Sequence, residues 1–274
     1  MSIWELDFYS RPILDDNGKK VWELLVCTPD RSLEYAQHCP AGQVNAAWLK
    51  AQLSELLSTA SDPPQRIRYF RKGMASIISR ACTDLGLPLV PSRRTFALSH
   101  WIQEREREVY PQHPNYQLPG LPPVAMDQAK PQSLPDALLG QQWAYVTLRA
   151  GDLEEWPTDF GEQFDLSPLG LDPDTIVPGI AIFSPRAMAL AAWMSGLEPA
   201  FVAFDGGQRP GWVLETGTDE RWLLSAVRDE GGLGEGKAFE EAKKRAQNVH
   251  FIAVQVNPNQ EQLAGFWLLQ ETDL

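Results

Sequence analysis

The residues with the clearest chemistry lie between positions 65 and 94. Arg66, Arg68, Arg71, Lys72, Arg80, Arg93 and Arg94 face a single acid, Asp84, a local charge of +6 in a chain whose formal net charge is −12. Tyr69 and Phe70 sit among them. Guanidinium and ammonium groups neutralise phosphates, and aromatic faces stack unpaired bases. Basic residues interleaved with aromatics therefore fit a surface for single-stranded nucleic acid. The same arginines would also suit ion pairs with the acids at 104–108 or with an acidic second domain, and the pattern leaves both readings open.

Other residue sets invite a catalytic reading and each lacks a part. Glu5, Asp7 and Glu23 could form a carboxylate cluster for metal-dependent nuclease chemistry, or could be acids on a strand's solvent face. Gly231, Gly236 and Lys237 have the spacing of a phosphate-binding loop, but Ala238 stands where Ser or Thr must hold Mg²⁺, and Asp229, Glu230 and Glu235 would repel the phosphates. That stretch reads as a glycine loop capping a helix. His38, His100, His113 and His250 have no partner at i,i+4, and no Cys-x2-Cys occurs, so a zinc site lacks its ligand pattern. No Gly-x-Ser-x-Gly elbow is present. We expect no catalytic residues, metal or cofactor.

The elements that must position the basic stretch follow from periodicity. Residues 3–9 and 21–28 read as a hairpin in which Trp4-Glu5-Leu6 is echoed by Trp22-Glu23-Leu24, with Asp15-Asp16-Asn17-Gly18 as the turn. Apolar residues at helical spacing predict helices over 42–57, over Met74–Leu85 and over 95–109, the last with Leu98, Trp101, Ile102, Arg105 and Val109 on one side. Gly86 and Pro88 close the second of these. Arg66–Phe70 and Leu87–Val90 alternate as strands. The result is a β-β-α-β-α-β-α unit in which the ends of strands bring Arg68, Arg71, Lys72, Arg93 and Arg94 together.

A Pro-rich linker at 111–135, with seven prolines, separates this unit from a second one. The expected domains are 1–110, a linker over 111–135 and 136–274, both domains compact and α/β (α+β mixed). In the second, strands are expected at 142–149, 200–204, 211–215, 221–227 and 249–256. Ile176–Phe183 reads as a strand interrupted at Pro178-Gly179. Ser184-Pro185 reads as the cap of a helix that runs to Met194 and is stopped by Gly196, and 237–247 as a further helix.

Charge separates the halves. Residues 1–149 hold 16 Lys/Arg and 15 Asp/Glu, whereas 150–274 hold 8 and 21. The second half would repel phosphate and suits solubility or a basic protein partner. No run reaches the ~18 apolar residues of a membrane span, and no basic-then-apolar leader opens the sequence. Three scattered cysteines argue against a disulfide framework and for a reducing cytoplasm.

Four blocks together resemble a known family. They are Trp4-Glu5-Leu6-Asp7-Phe8 through Ser10-Arg11-Pro12-Ile13-Leu14-Asp15 with Gly18-Lys19-Lys20 and Trp22-Glu23-Leu24; Arg68-Tyr69-Phe70-Arg71; Pro91-Ser92-Arg93-Arg94-Thr95; and Trp267-Leu268-Leu269. The chain is similar along its whole length to the Tab/Atab RNA-binding proteins of cyanobacteria and plastids, and its length and lack of a transit peptide point to a cyanobacterial member. The resemblance implies binding of A/U-rich leader RNA, promotion of translation of photosystem messages and photosystem biogenesis. Trp267, Leu268 and Leu269 match the family's terminal motif and read either as a docked apolar tail or as RNA contacts. The readings in competition with RNA binding are a metal-dependent nuclease and an assembly scaffold built on the acidic second domain.

Overall fold

The computed structural model describes residues 2–118, 130–135, 138, 140, 142–154, 164–207, 209–259 and 262–272. Backbone contacts divide the chain into two units, Met1–Asp127 and Gln128–Leu274. Both mix helix and sheet, as the sequence leads one to expect.

The first unit opens with β1 (Ile3–Leu14) and β2 (Lys20–Cys27), antiparallel, with Phe8 opposite Leu24 and Tyr9 opposite Glu23. Asp15 builds the turn, accepting from the amides of Asn17 and Lys19, and Gly18 takes the positive φ of 73° that closes it. β3 (Glu34–Cys39) then pairs with β2. The sequence reading passes over this strand because Glu-Tyr-Ala-Gln-His-Cys shows little apolar alternation; it is an edge strand, mostly solvated, held by its ladder to β2 and by Tyr35 and Cys39, which reach the core under α1 and α2. α1 (Ala46–Thr59) starts four residues later than expected, where Asn45 accepts from the Trp48 amide at 2.9 Å. β4 (Arg66–Tyr69), α2 (Ala75–Asp84), β5 (Leu89–Pro91) and α3 (Phe96–Glu108) complete the unit. Gly86, at φ 68°, ends α2.

The sheet order is β3-β2-β1-β4-β5, with β1, β4 and β5 parallel. Alternation decides its two faces. Trp4, Leu6, Phe8, Leu24, Val26, Ile67 and Tyr69 pack on α1 and α2. Leu25, Cys27 and Phe70 pack on α3 through Ala97, Leu98, Trp101 and Ile102. After α3 the chain returns along β1: the Leu14 amide donates to Asn115 O, the Gln117 amide donates to Pro12 O, and Ile13 bridges Tyr116. The front of the expected linker is thus laid on the first unit, while residues 119–129 of it lie outside the described residues.

Among the described residues, the second unit has two four-stranded sheets. One has the order β6-β11-β10-β9, from β6 (Gln132–Ser133), β9 (Pro199–Asp205), β10 (Gly211–Thr216) and β11 (Glu220–Ala226). The other is β13-β12-β8-β7, from β7 (Gln142–Arg149), β8 (Ile176–Phe183), β12 (Val249–Gln255) and β13 (Leu263–Gln270). Its helices are α4 (Ala150–Glu154), α5 (Ala187–Gly196) and α6 (Glu230–Arg245). One core joins Ile180, Ile252, Trp212, Phe239 and Met194, and another lies around Val177, Phe251 and Phe266.

Three local expectations are corrected here. β8 runs unbroken through Pro178-Gly179, because Pro178 precedes the first rung to β12 and the ring of Phe251 lies over Gly179, where a Cβ would come within 2.3 Å of it. α5 begins at Ala187, since the Ser184 hydroxyl is spent on the Arg186 amide at 3.1 Å and does not cap the helix. α6 begins at Glu230, seven residues before the expected start, with Asp229 accepting from the Gly232 amide at 2.8 Å. The glycines therefore lie within a helix and cradle no phosphate. A Cβ at Gly232 would meet Val227 at 2.6 Å and one at Gly236 would meet Phe204 at 2.5 Å, so glycine is needed there for close helix packing.

Candidate nucleic-acid interface

The parallel strands β4 and β5 end side by side, Tyr69 opposite Pro91, and the Ser92 amide donates to Tyr69 O at 2.9 Å. Segments 70–74 and 92–95 therefore share one rim of the first sheet, at the carboxyl ends of its strands, where open α/β sheets bind ligands. This brings Arg71, Lys72 and Arg93 close in the fold.

The structure separates the nine residues expected to bind RNA. Lys72 and Arg80 are exposed, Arg80 by 73%, and Arg80 pairs at the surface with Asp84, which Lys50 also approaches. Arg66, Arg71 and Arg93 are half-buried. Arg68 and Arg94 are only 3% exposed, and Tyr69 and Phe70 only 7%. Tyr69 belongs to the core under α1 and α2 and Phe70 to the core under α3, while Arg94 stands over the Phe96 ring. The four buried side chains shape the rim, and the other five offer charge to solvent.

A buried ionic network that the sequence did not reveal lies beside the rim. Asp7 accepts from Arg11 at 2.9 Å and from Arg71 at 2.8 Å. Glu23 accepts from Arg11 at 3.0 Å, Arg105 at 2.5 Å and the Tyr110 hydroxyl at 2.6 Å, with His38 Nε2 at 3.3 Å. Glu5 accepts from the Leu98 amide at 2.8 Å, so a carboxylate from β1 caps the positive end of α3. Burial pushes the Glu23 carboxyl up, but hydrogen bonds from His38 and Tyr110 and the charges of Arg11 and Arg105 outweigh it and hold the pKa at about 2. Burial in turn pushes the Tyr110 hydroxyl well up. The three acids that suggested a nuclease are engaged by arginines, a tyrosine and a helix end, and among the described residues no group of three His, Cys, Asp or Glu is arranged to hold a metal ion. The available signal was Arg105, which falls on the apolar side of its helix and so needs a buried acid opposite.

Tyr9 was also overlooked. The carbon of the Arg71 guanidinium lies 4.0 Å from the centroid of its ring and 4.7 Å from that of Phe70. A guanidinium ion-paired with Asp7 and packed against two rings cannot swing freely, so the rim presents its remaining N–H donors in a fixed place beside aromatic surface.

Elsewhere the chemistry does not suit phosphate. A hollow of about 840 Å³ in the first unit is lined by Asp30, Glu34 and Asp62 among hydroxyl-bearing and apolar neighbours. In the second unit Trp267, Leu268 and Leu269 lie in the second half of β13, all at 4% exposure or less; Trp267 and Leu269 enter one core and Leu268 the other. Buried on both faces, these side chains are core residues of one unit. The three cysteines are free and buried, and burial raises the thiols of Cys39 and Cys82 to about 11. No helix among the described residues is long and apolar enough to cross a membrane.

Comparison with known proteins gives concordant matches. The profile of the family described as "RNA-binding protein Tab2/Atab2 N terminal" matches residues 3–105, and that of "RNA-binding protein Tab2/Atab2, C-terminal domain" matches residues 121–270. The chain is 42% identical to a chloroplastic TAB2 homolog of Zea mays, over 97% of this chain and 70% of that protein. It is 38% identical to a chloroplastic TAB2 homolog of Arabidopsis thaliana, over 97% and 74%. A solved assembly, a simian T-cell lymphotropic virus intasome with PP2A regulatory subunit B56 gamma, aligns with 82% of this chain and 79% of its own at 11% identity and a TM-score of 0.31, too low to bear on the fold.

Proposed function

The chain belongs to the Tab2/Atab2 family of RNA-binding proteins, and from that premise we propose that it binds A/U-rich single-stranded RNA at the rim of the first unit and acts without catalysis. The observation that carries the reading is the fixed Arg71 cation, held by Asp7 and packed against Tyr9 and Phe70, next to exposed Lys72. Arg93 shares the rim, Arg66 opens β4 at the strand's other end, Arg80 lies farther along α2 beside Asp84, and Arg68, Tyr69, Phe70 and Arg94 hold the shape from within. The Met74 side chain does not cap α2 and no acid sits in its first turn, so the helix dipole there adds to the positive field.

The biological role we assign is promotion of translation of photosystem messages and photosystem biogenesis in a cyanobacterial cytoplasm, in line with the family resemblance and with relatives named as chloroplastic. The second unit, whose acidic balance opposes RNA, is proposed to face a basic protein partner. The test is fluorescence anisotropy with a labelled A/U-rich oligonucleotide, comparing the wild type with a Lys72→Glu/Arg80→Glu variant. Both positions are exposed, so charge reversal there leaves the core intact. Binding that weakens with salt and weakens further in the variant supports the reading. A variant that binds like the wild type refutes the placement.

A further inference from the structure

Sequence reasoning assigns base stacking to Tyr69 and Phe70, yet both rings are committed to cores on opposite faces of the sheet. The rim nevertheless has an aromatic ring open to solvent. Tyr9 is 39% exposed although its neighbour in β1, Phe8, is fully buried. Its orientation is fixed from two sides. The Arg71 guanidinium lies 4.0 Å from its centroid, and the Trp22 ring meets it edge-on at 5.8 Å and 69°. Arg71 is itself anchored on Asp7 at 2.8 Å.

A ring held this way has already lost the freedom that binding would otherwise remove, so little ordering cost is left for a ligand. The guanidinium covers one face of the ring, so a ligand meets its other side, an aromatic surface next to a cation, which matches an unpaired nucleobase followed by a phosphate. We propose that Tyr9 is the stacking platform for one unpaired base, with Arg71 as its cationic partner. The proposal rests on the RNA reading above and deepens it. It makes the ligand single-stranded, because a paired base has no free face, and it makes the contact tolerant of base identity, because every base has a π-face.

The experiment uses the full chain and A/U-rich oligonucleotides with a single 2-aminopurine, a fluorescent adenine analogue quenched by stacking. Tyr9→Ala, Tyr9→Phe and Lys72→Glu are compared with the wild type, with circular dichroism as the check on folding. Wild type should quench the probe. Tyr9→Ala should bind roughly 5- to 150-fold more weakly, the range for loss of one stacked base, should fail to quench, and should keep the wild-type salt dependence because no phosphate contact is lost. Tyr9→Phe should restore both affinity and quenching. Lys72→Glu should instead flatten the salt dependence and still quench once saturated. If Tyr9→Ala binds and quenches like the wild type while Lys72→Glu is weakened, the stacking proposal is overturned and the RNA reading survives. If the wild type itself fails to bind at low salt, both are overturned.

Discussion

Replacing Glu23 with glutamine tests the physical basis of the first unit's fold. The substitution keeps the shape and removes the charge that faces Arg11 and Arg105 inside the protein. Glu23 ionises at about 2 in the folded chain against an ordinary 4.5. A depression of that size makes the charged form worth about 3 kcal/mol of folding stability near neutral pH. Breaking a buried ion pair at one partner commonly costs about 3–5 kcal/mol, in agreement. Glu23→Gln should therefore destabilise the first unit by about 3 kcal/mol at pH 7. Denaturant unfolding reads the total, and hydrogen exchange followed by mass spectrometry should place the loss in β1, β2 and α3, with peptides of the second unit unchanged. The pH dependence is signed. A carboxylate with a depressed folded pKa stabilises fully above about pH 4.5 and loses that contribution as pH falls toward 2, so wild type and variant should converge across that window. A loss under about 1 kcal/mol at pH 7, or a gap that persists at pH 2, would refute the reasoning.

Three further outcomes follow from the same geometry. Glu5→Ala removes the carboxylate that caps α3 and should cost about 1–2 kcal/mol, read as faster amide exchange in the first turn of that helix. Gly179→Ala drives a Cβ into the Phe251 ring and should lower the melting temperature by an amount equivalent to about 1–3 kcal/mol. His250 is fully buried, accepting from the Val202 amide at 2.8 Å, and burial, then Lys243, hold its pKa well below 6.5. Stability should thus fall as pH drops below 6.5, by up to about 1.4 kcal/mol per pH unit, and a His250→Gln variant should lose that slope.

Periodicity was enough where one face of an element meets one core. The strands β2 and β7 and the helix α3 lie close to where alternation and helical spacing put them, and β1 starts where expected but runs five residues further, to Leu14. It failed where the determining contact is non-local. β3 has little apolar pattern and is held largely by its ladder to β2. The glycines of α6 resemble a phosphate loop in sequence, but Val227 and Phe204, brought in by the fold, require them. The site was legible as a charge count and not as a surface. Seven basic residues in one stretch do not say which of them turn inward. Arg68 and Arg94 do, while Arg11 and Arg105, outside the stretch, join the buried network. Acids and arginines far apart in sequence neutralise one another only once the sheet face and α3 are stacked, so Asp7 and Glu23 read as equally good metal ligands until then. Tyr9 stands out only when Arg71, sixty-two residues on, is seen resting against its ring.

The most direct test of RNA binding at the first unit's rim is ultraviolet cross-linking of the full chain to an A/U-rich RNA, with the attached peptides mapped by mass spectrometry. The account predicts cross-links at Tyr9 and in residues 66–80 and 91–94, lost when unlabelled RNA competes. Cross-links confined to residues 128–274 would contradict it.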